Sequence, residues 1–178
     1  MTGEIDTGYL TVQQDVFDSG LARTIGMNAL GVWLAIKRHA DYNTGECWPG
    51  IRRLVDVTGL ASATVQRAIK TLQSEKLLRV IETGSGTRSS RYVARERLVV
   101  YLGKQTLCTI VLDYVLARIP GQLAQIKGTI KSGNDVTDAF AECEIIPGEG
   151  FTWDETARVL RTTIPAEKIR ASLLKNSE

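Results

Sequence analysis

Histidine occurs only once in this sequence, at His39, and cysteine only three times, at Cys47, Cys108 and Cys143. That scarcity excludes several chemistries at the outset. A nucleophile activated by an imidazole would have to recruit His39, which stands at the end of the apolar-periodic segment "AIKRHADY", where a histidine suits a helix C-terminus. A structural zinc would have to gather His39 and all three cysteines from scattered positions, whereas zinc ligands come in closely spaced pairs, so the thiols read as free and buried. No P-loop occurs, and "GSG" at Gly84 to Gly86 lacks the rest of any nucleotide-binding fingerprint. Asp135, Asp138, Glu142 and Glu144 read as solvated carboxylates rather than a metal-dependent nuclease centre. The expectation is a protein with no enzymatic activity, no cofactor and no metal.

Long apolar runs are missing as well. None approaches the roughly 20 residues needed to cross a bilayer. The opening "MTGEIDTGYL" carries acidic residues in place of the basic-then-apolar order of a secretory signal. A cytoplasmic location and no membrane partner are expected.

What is present is an ordinary soluble balance. Hydrophobic residues make up 43% of 178, enough for a core, and the length fits one large domain or two small ones. The net charge of +2 conceals an uneven distribution. Residues 1–47 carry −3 and residues 98–178 carry −1, whereas residues 48–97 carry +6. The basic residues of that middle stretch are Arg52, Arg53, Arg67, Lys70, Lys76, Arg79, Arg88, Arg91, Arg95 and Arg97, set against Asp56, Glu75, Glu82 and Glu96. A positive field concentrated in one segment suits a surface that meets a polyanion.

The segment also has a helical rhythm. "DSGLARTIGMNALGVWLAIKRHADYNTGE" reads as a short helical turn and then a helix from about Asn28 to Ala40, with Trp33 on a broad apolar face. Pro49 can open the next helix at its first position, with Ile51, Leu54 and Val55 as its stripe and Gly59 as a left-handed end. Ser62 can cap a following helix that buries Val65, Ala68, Ile69 and Leu72. Each residue advances about 100° around the axis, so Ala63, Gln66, Arg67 and Lys70 must project the other way. Two short helices joined by a tight glycine-containing turn form a helix-turn-helix, whose second helix enters the DNA major groove. Leu77 to Thr83 and Arg88 to Ala94 then alternate like strands around a Gly-Ser-Gly-Thr turn, the pattern of a wing. The tip carries Thr87, Arg88, Ser89, Ser90 and Arg91, hydroxyls and guanidinium groups suited to phosphate.

"GECWPGIRRLVDVTGLASATVQRAIKTLQSEKLLRV" resembles the winged helix-turn-helix domains of phage and plasmid replication proteins, in which a proline-led helix precedes a T-V-x-R-x-I-x-x-L recognition helix. The matching residues are Trp48, Pro49, Leu54, Gly59, Thr64, Val65, Arg67, Ile69 and Leu72, and the resemblance covers roughly residues 15–95. Gly50 stands where a serine is common, and "SEKLL" lacks the glycine that often ends the recognition helix. The resemblance implies a winged helix and a role in replication initiation or its control.

Beyond that segment, "RLVVYLGKQTLCTIVLDYV" reads as a hairpin from Arg97 to about Tyr114, and "PGQLAQIKGTIKSG" as a helix from Pro120 to Ser132. A strand pair around Pro147 to Gly150 and a final helix from Ala166 complete an α+β reading. The expected organisation is an N-terminal arm (1–14), a winged helix-turn-helix domain (15–97) and a small α+β domain (98–178) for self-association or partner binding. The expected partners are double-stranded DNA, a second copy as a homodimer or DNA-induced oligomer, and another replication or regulatory protein. Gln66 and Arg67 would read base edges, while Ser62, Thr64 and Lys70 would hold phosphates, with Arg52 and Arg53 contributing from the first helix. A transcriptional repressor of the same fold is the alternative. From another class, a protein-interaction module would use the winged helix as a docking surface.

Overall fold

Apolar spacing in the N-terminal half resolves into four helices in a computed structural model that describes residues 10–86, 88–132 and 140–165. Thr87, Asp135, Asp138, the helix expected from Ala166 and most of the N-terminal arm lie outside those residues. The helices are α1 (Asp15–Asp18), α2 (Leu21–Arg38), α3 (Ile51–Thr58) and α4 (Ser62–Ser74). Gly26 breaks α2 with φ 77° and ψ 159°, so a single turn precedes the long helix, which starts at Met27. Trp33 and Ile36 are fully buried on it.

Two expected helix starts need correction. Gly50, extended at ψ 158°, is the N-cap of α3, and its carbonyl accepts from the Leu54 N–H. Pro49 therefore precedes the helix instead of opening it. Ala61 is the N-cap of α4, with its carbonyl bonded to the Val65 N–H, so Ser62 is the first helical residue and caps nothing. The four apolar residues expected inside are buried: Val65, Ala68, Ile69 and Leu72. Fully burying a side chain of Val or Leu size contributes roughly 1.5–3 kcal/mol, so this short helix is held by its inner face. At the end of α4, Lys76 takes a left-handed φ of 62° while Leu77 N–H bonds the Leu72 carbonyl, the closure for which glycine is the usual choice.

The strands are β1 (Glu46–Cys47), β2 (Leu78–Glu82), β3 (Arg91–Leu102), β4 (Gln105–Asp113) and β5 (Glu144–Pro147), joined in one antiparallel sheet. The first half of β3 pairs with β1 and β2, and its second half with β4. The boundary expected at residue 97 thus falls inside a continuous strand. One hydrophobic cluster spans both sides of it, from Leu54, Val65 and Leu72 to Ile110, Leu112 and Ile126 of helix α5 (Ile119–Ser132). The expected strand pair around Pro147 to Gly150 also resolves differently. β5 pairs with β4, and β6 (Phe151–Asp154) pairs with β7 (Val159–Thr162).

Alternation along β3 turns Tyr92, Ala94, Glu96 and Leu98 toward the helices. Glu96 is fully buried there, and Lys37 of α2 meets it, Nζ donating to Oε1 at 2.5 Å and to the Thr11 carbonyl at 2.5 Å. The same ammonium lies 4.3 Å from the Trp33 ring centre and 4.0 Å from that of Tyr114. Burial pushes the Lys37 pKa down and the Glu96 pKa up, and their mutual attraction opposes both shifts. Glu96 Oε2 and Trp33 Nε1 have no hydrogen-bond partner among the described residues.

On its outer edge, beyond β2, β3 donates the Val99 N–H to Asp15 Oδ2 at 3.0 Å. An unpaired strand edge invites pairing with another chain, and a carboxylate set against it blunts that tendency. Among the described residues, no helix is long and apolar enough to cross a membrane, and no three His, Cys, Asp or Glu side chains converge as a metal site. Cys47 is buried and Cys108 and Cys143 are half-buried, with no disulfide among them. Burial pushes the Cys47 thiol up to about 12 and the other two up to about 11.

Candidate nucleic-acid interface

The turn between α3 and α4 is set by Gly59, whose φ of 69° lets its N–H reach the Val55 carbonyl at 2.8 Å and end the first helix. Thr58 fastens the turn, its hydroxyl donating to the Leu54 carbonyl at 2.6 Å and accepting from the Leu60 N–H at 3.3 Å. With its apolar face against the core, α4 presents Ser62, Ala63, Gln66, Arg67 and Lys70 to solvent, and Thr64 is half-buried. Arg67 lies back along its own helix, Nε on the Ala63 carbonyl at 3.4 Å and Nη2 on Thr64 Oγ1 at 3.3 Å. These contacts are long and exposed, so the guanidinium is free to turn outward at little cost. Arg52 and Arg53 are exposed on α3. His39, the C-cap of α2, is kept below the usual imidazole pKa by burial and then by the Arg53 and Arg38 charges.

The β2–β3 hairpin brings Arg88 and Ser89 to an exposed tip. Two expected tip contacts are occupied instead. Ser90 is half-buried and its hydroxyl accepts from the Gly84 N–H at 2.9 Å, closing the loop, so it shapes the tip. Arg91 lies 3.6 Å from Glu46 Oε2 across the β1–β3 pair. The tip also leans on the start of α3. A Cβ built on Gly50 would sit 2.9 Å from Ser89 Oγ.

The basic residues of the middle segment fall into two sets. Arg79 pairs with Asp113, Arg95 with Glu144 at 2.8 Å and Asp113 at 3.3 Å, Arg97 with Glu75 at 2.8 Å, and Lys76 with Glu144 at 3.3 Å. These pairs tie the strands to one another and to the end of α4, and they account for part of the segment's excess of positive charge. Glu142, read from sequence as solvated, is exposed, and in solvent it lies 3.0 Å from Arg118. Arg52, Arg53, Arg67, Lys70 and Arg88 form no ion pair with a described residue, and they cluster on the helix-turn-helix and the hairpin tip. Sequence charge alone did not separate the two sets. Trp48, noted in the sequence only as part of a resemblance, is exposed directly before α3.

Residues 23–78 match a family model described as a helix-turn-helix domain. The match runs from α2 to the first residue of β2, so the N-terminal part of this α+β chain carries a helix-turn-helix domain. No curated protein and no solved structure matches the chain.

Proposed function

We propose that this protein binds double-stranded DNA in a sequence-specific way, with α4 in the major groove and the 84–91 hairpin serving as a wing on the adjacent backbone. The observation that carries this reading is the outward ridge of α4. A helix whose exposed face holds Ala63, Gln66, Arg67 and Lys70, none bonded to a described residue beyond its own helix, offers an amide, a guanidinium and an ammonium beside a small residue. Gln pairs with adenine and Arg with guanine in bidentate geometry, and Ala tolerates a thymine methyl. Arg52 and Arg53 on α3 and Arg88 at the hairpin tip, which form no ion pair with a described residue, add attraction to phosphate. The role is binding, with no catalytic step, and the setting is replication initiation or its control on a plasmid or phage genome. The resemblance of the Trp48 to Leu72 segment to replication proteins supports that setting. Regulation of transcription by the same domain is the second use of this surface.

Selection of bound sequences from random duplex DNA tests the reading. Enrichment of one motif supports it. A directly repeated motif favours an origin array, while an inverted repeat favours a symmetric dimer that presents two recognition helices. Binding without enrichment would overturn sequence-specific reading, and no binding at low salt would overturn DNA as the partner.

The hairpin yields its own prediction. Because Arg91 is engaged by Glu46 and Arg88 is not, Arg88→Ala should by itself reduce the log–log salt slope by about 0.9, the value of one phosphate contact on duplex DNA, and leave the preferred motif unchanged. Fluorescence anisotropy at several salt concentrations measures it. An unchanged slope would mean that the tip does not touch phosphate.

A further inference from the structure

Among the chain's three tryptophans, Trp33 is sealed in the core, Trp153 is half-buried on β6, and Trp48 is 64% exposed. A large aromatic surface left in water at a fixed place in the fold is informative in a way that a lone exposed leucine is not. Its position is set by the sheet. β1 ends with Cys47 paired to Tyr92, and Trp48, the next residue, is exposed where Cys47 is buried. Directly after it, Gly50 and Ile51 form one wall of a cleft of about 310 Å³ whose other wall is the hairpin tip with Arg88 and Ser89. The cleft joins the first helix of the helix-turn-helix to the hairpin, and Arg88 at its edge forms no ion pair with a described residue.

We propose that Trp48 and Arg88 grip one strand of the DNA backbone, the indole covering a deoxyribose and the guanidinium taking the phosphate beside it. The inference rests on the DNA-binding reading and names a contact outside the recognition helix. The chemistry favours this occupant. A free anion would use the guanidinium and have no need of the indole, and an apolar protein surface would cover the indole and leave the guanidinium desolvated without a partner. A sugar–phosphate chain alternates apolar ring edges with anions and satisfies both. The contribution of Trp48 is apolar, so it persists at salt concentrations that screen the phosphate contacts.

The test uses the full chain, a duplex recovered from random DNA, and the variants Trp48→Ala and Trp48→Phe. Trp48→Ala should weaken every duplex alike by about five- to tenfold, the loss expected when part of an indole no longer leaves water, with the salt slope and preferred motif unchanged. Trp48→Phe should retain most of the affinity, since a flat apolar ring remains, and should abolish the change in tryptophan emission that DNA produces in the wild type. An affinity of Trp48→Ala equal to wild type would overturn the clamp, as would a DNA-dependent emission change that survives in Trp48→Phe. Should Trp48→Ala misfold, the emission of Trp48→Phe still decides the matter. If the wild type itself binds no duplex, the DNA reading and the clamp fall together; if it binds and Trp48→Ala is unaffected, the clamp alone is lost.

Discussion

Lys37→Met is expected to lower the stability of the folded chain by about 3–5 kcal/mol, the usual cost of leaving one member of a buried ion pair without its partner. Glu96 would then stand fully buried against apolar neighbours, with Oε1 having lost the only hydrogen bond it makes to a described residue. Glu96→Leu should cost a similar amount, because the ammonium would keep only the Thr11 carbonyl and the two aromatic faces. The double replacement should recover most of the loss, since each charge is costly chiefly when alone. The single variants also carry a pH signature. Burial already raises the Glu96 pKa, and removing Lys37 removes the attraction that opposes that rise. A folded-state pKa above the unfolded value means that the folded chain holds the proton more tightly, so stability is greatest below the ordinary carboxylate range and falls as pH rises through the shifted value. The deficit of Lys37→Met should therefore be small in acid and grow toward neutrality. Urea unfolding from pH 4 to pH 8 measures it. A deficit that does not vary with pH would show that lost packing, and not the unpaired carboxylate, is responsible.

Arg67→Ala should weaken binding to the selected duplex by about 1–3 kcal/mol and relax the preference at one base pair, as the loss of a base-edge contact does. Lys70→Ala should weaken all duplexes similarly, because a phosphate contact carries no sequence information. Arg67 is suited to reading because its bonds to Ala63 and Thr64 lie at 3.3–3.4 Å in solvent and yield readily to a guanine edge. Lys70, one turn further along, has no such tether in the described structure. Competition titrations against single-base variants of the site separate the two effects. Wild-type behaviour in both variants would remove α4 as the reading element.

Periodicity was enough to read α3, α4 and the hairpin from sequence, because Ile51, Leu54, Val65, Ala68, Ile69 and Leu72 keep to one side of their helices and Gly59 marks the turn. Helix starts were less legible. Ser62 has the chemistry of a cap, yet Ala61 occupies that position, since the length of the turn and not the side chain decides where the helix begins. The continuity of β3 was hidden by Glu96, a charge at an inward position that interrupts the apolar alternation. Its compensation, Lys37, lies 59 residues away, beyond any local pattern. The division of the basic residues was equally non-local. Arg79, Arg95 and Arg97 meet carboxylates 18 to 49 residues distant in sequence, and only folding brings them together.

The continuity of β3 has a mechanical side. Its 12 residues extend for about 40 Å at roughly 3.3 Å per residue, with the hairpin tip beyond one end and the Gly103–Lys104 turn at the other. Neighbouring strands brace it along this length, with one register irregularity facing β2 and another at Val100–Tyr101. Between Arg91 and Val100 the strand is paired with its neighbours, and the Lys37–Glu96 pair ties its middle to α2. Because its backbone is paired along this length, the two ends of the strand are held relative to each other by hydrogen bonds to its neighbours.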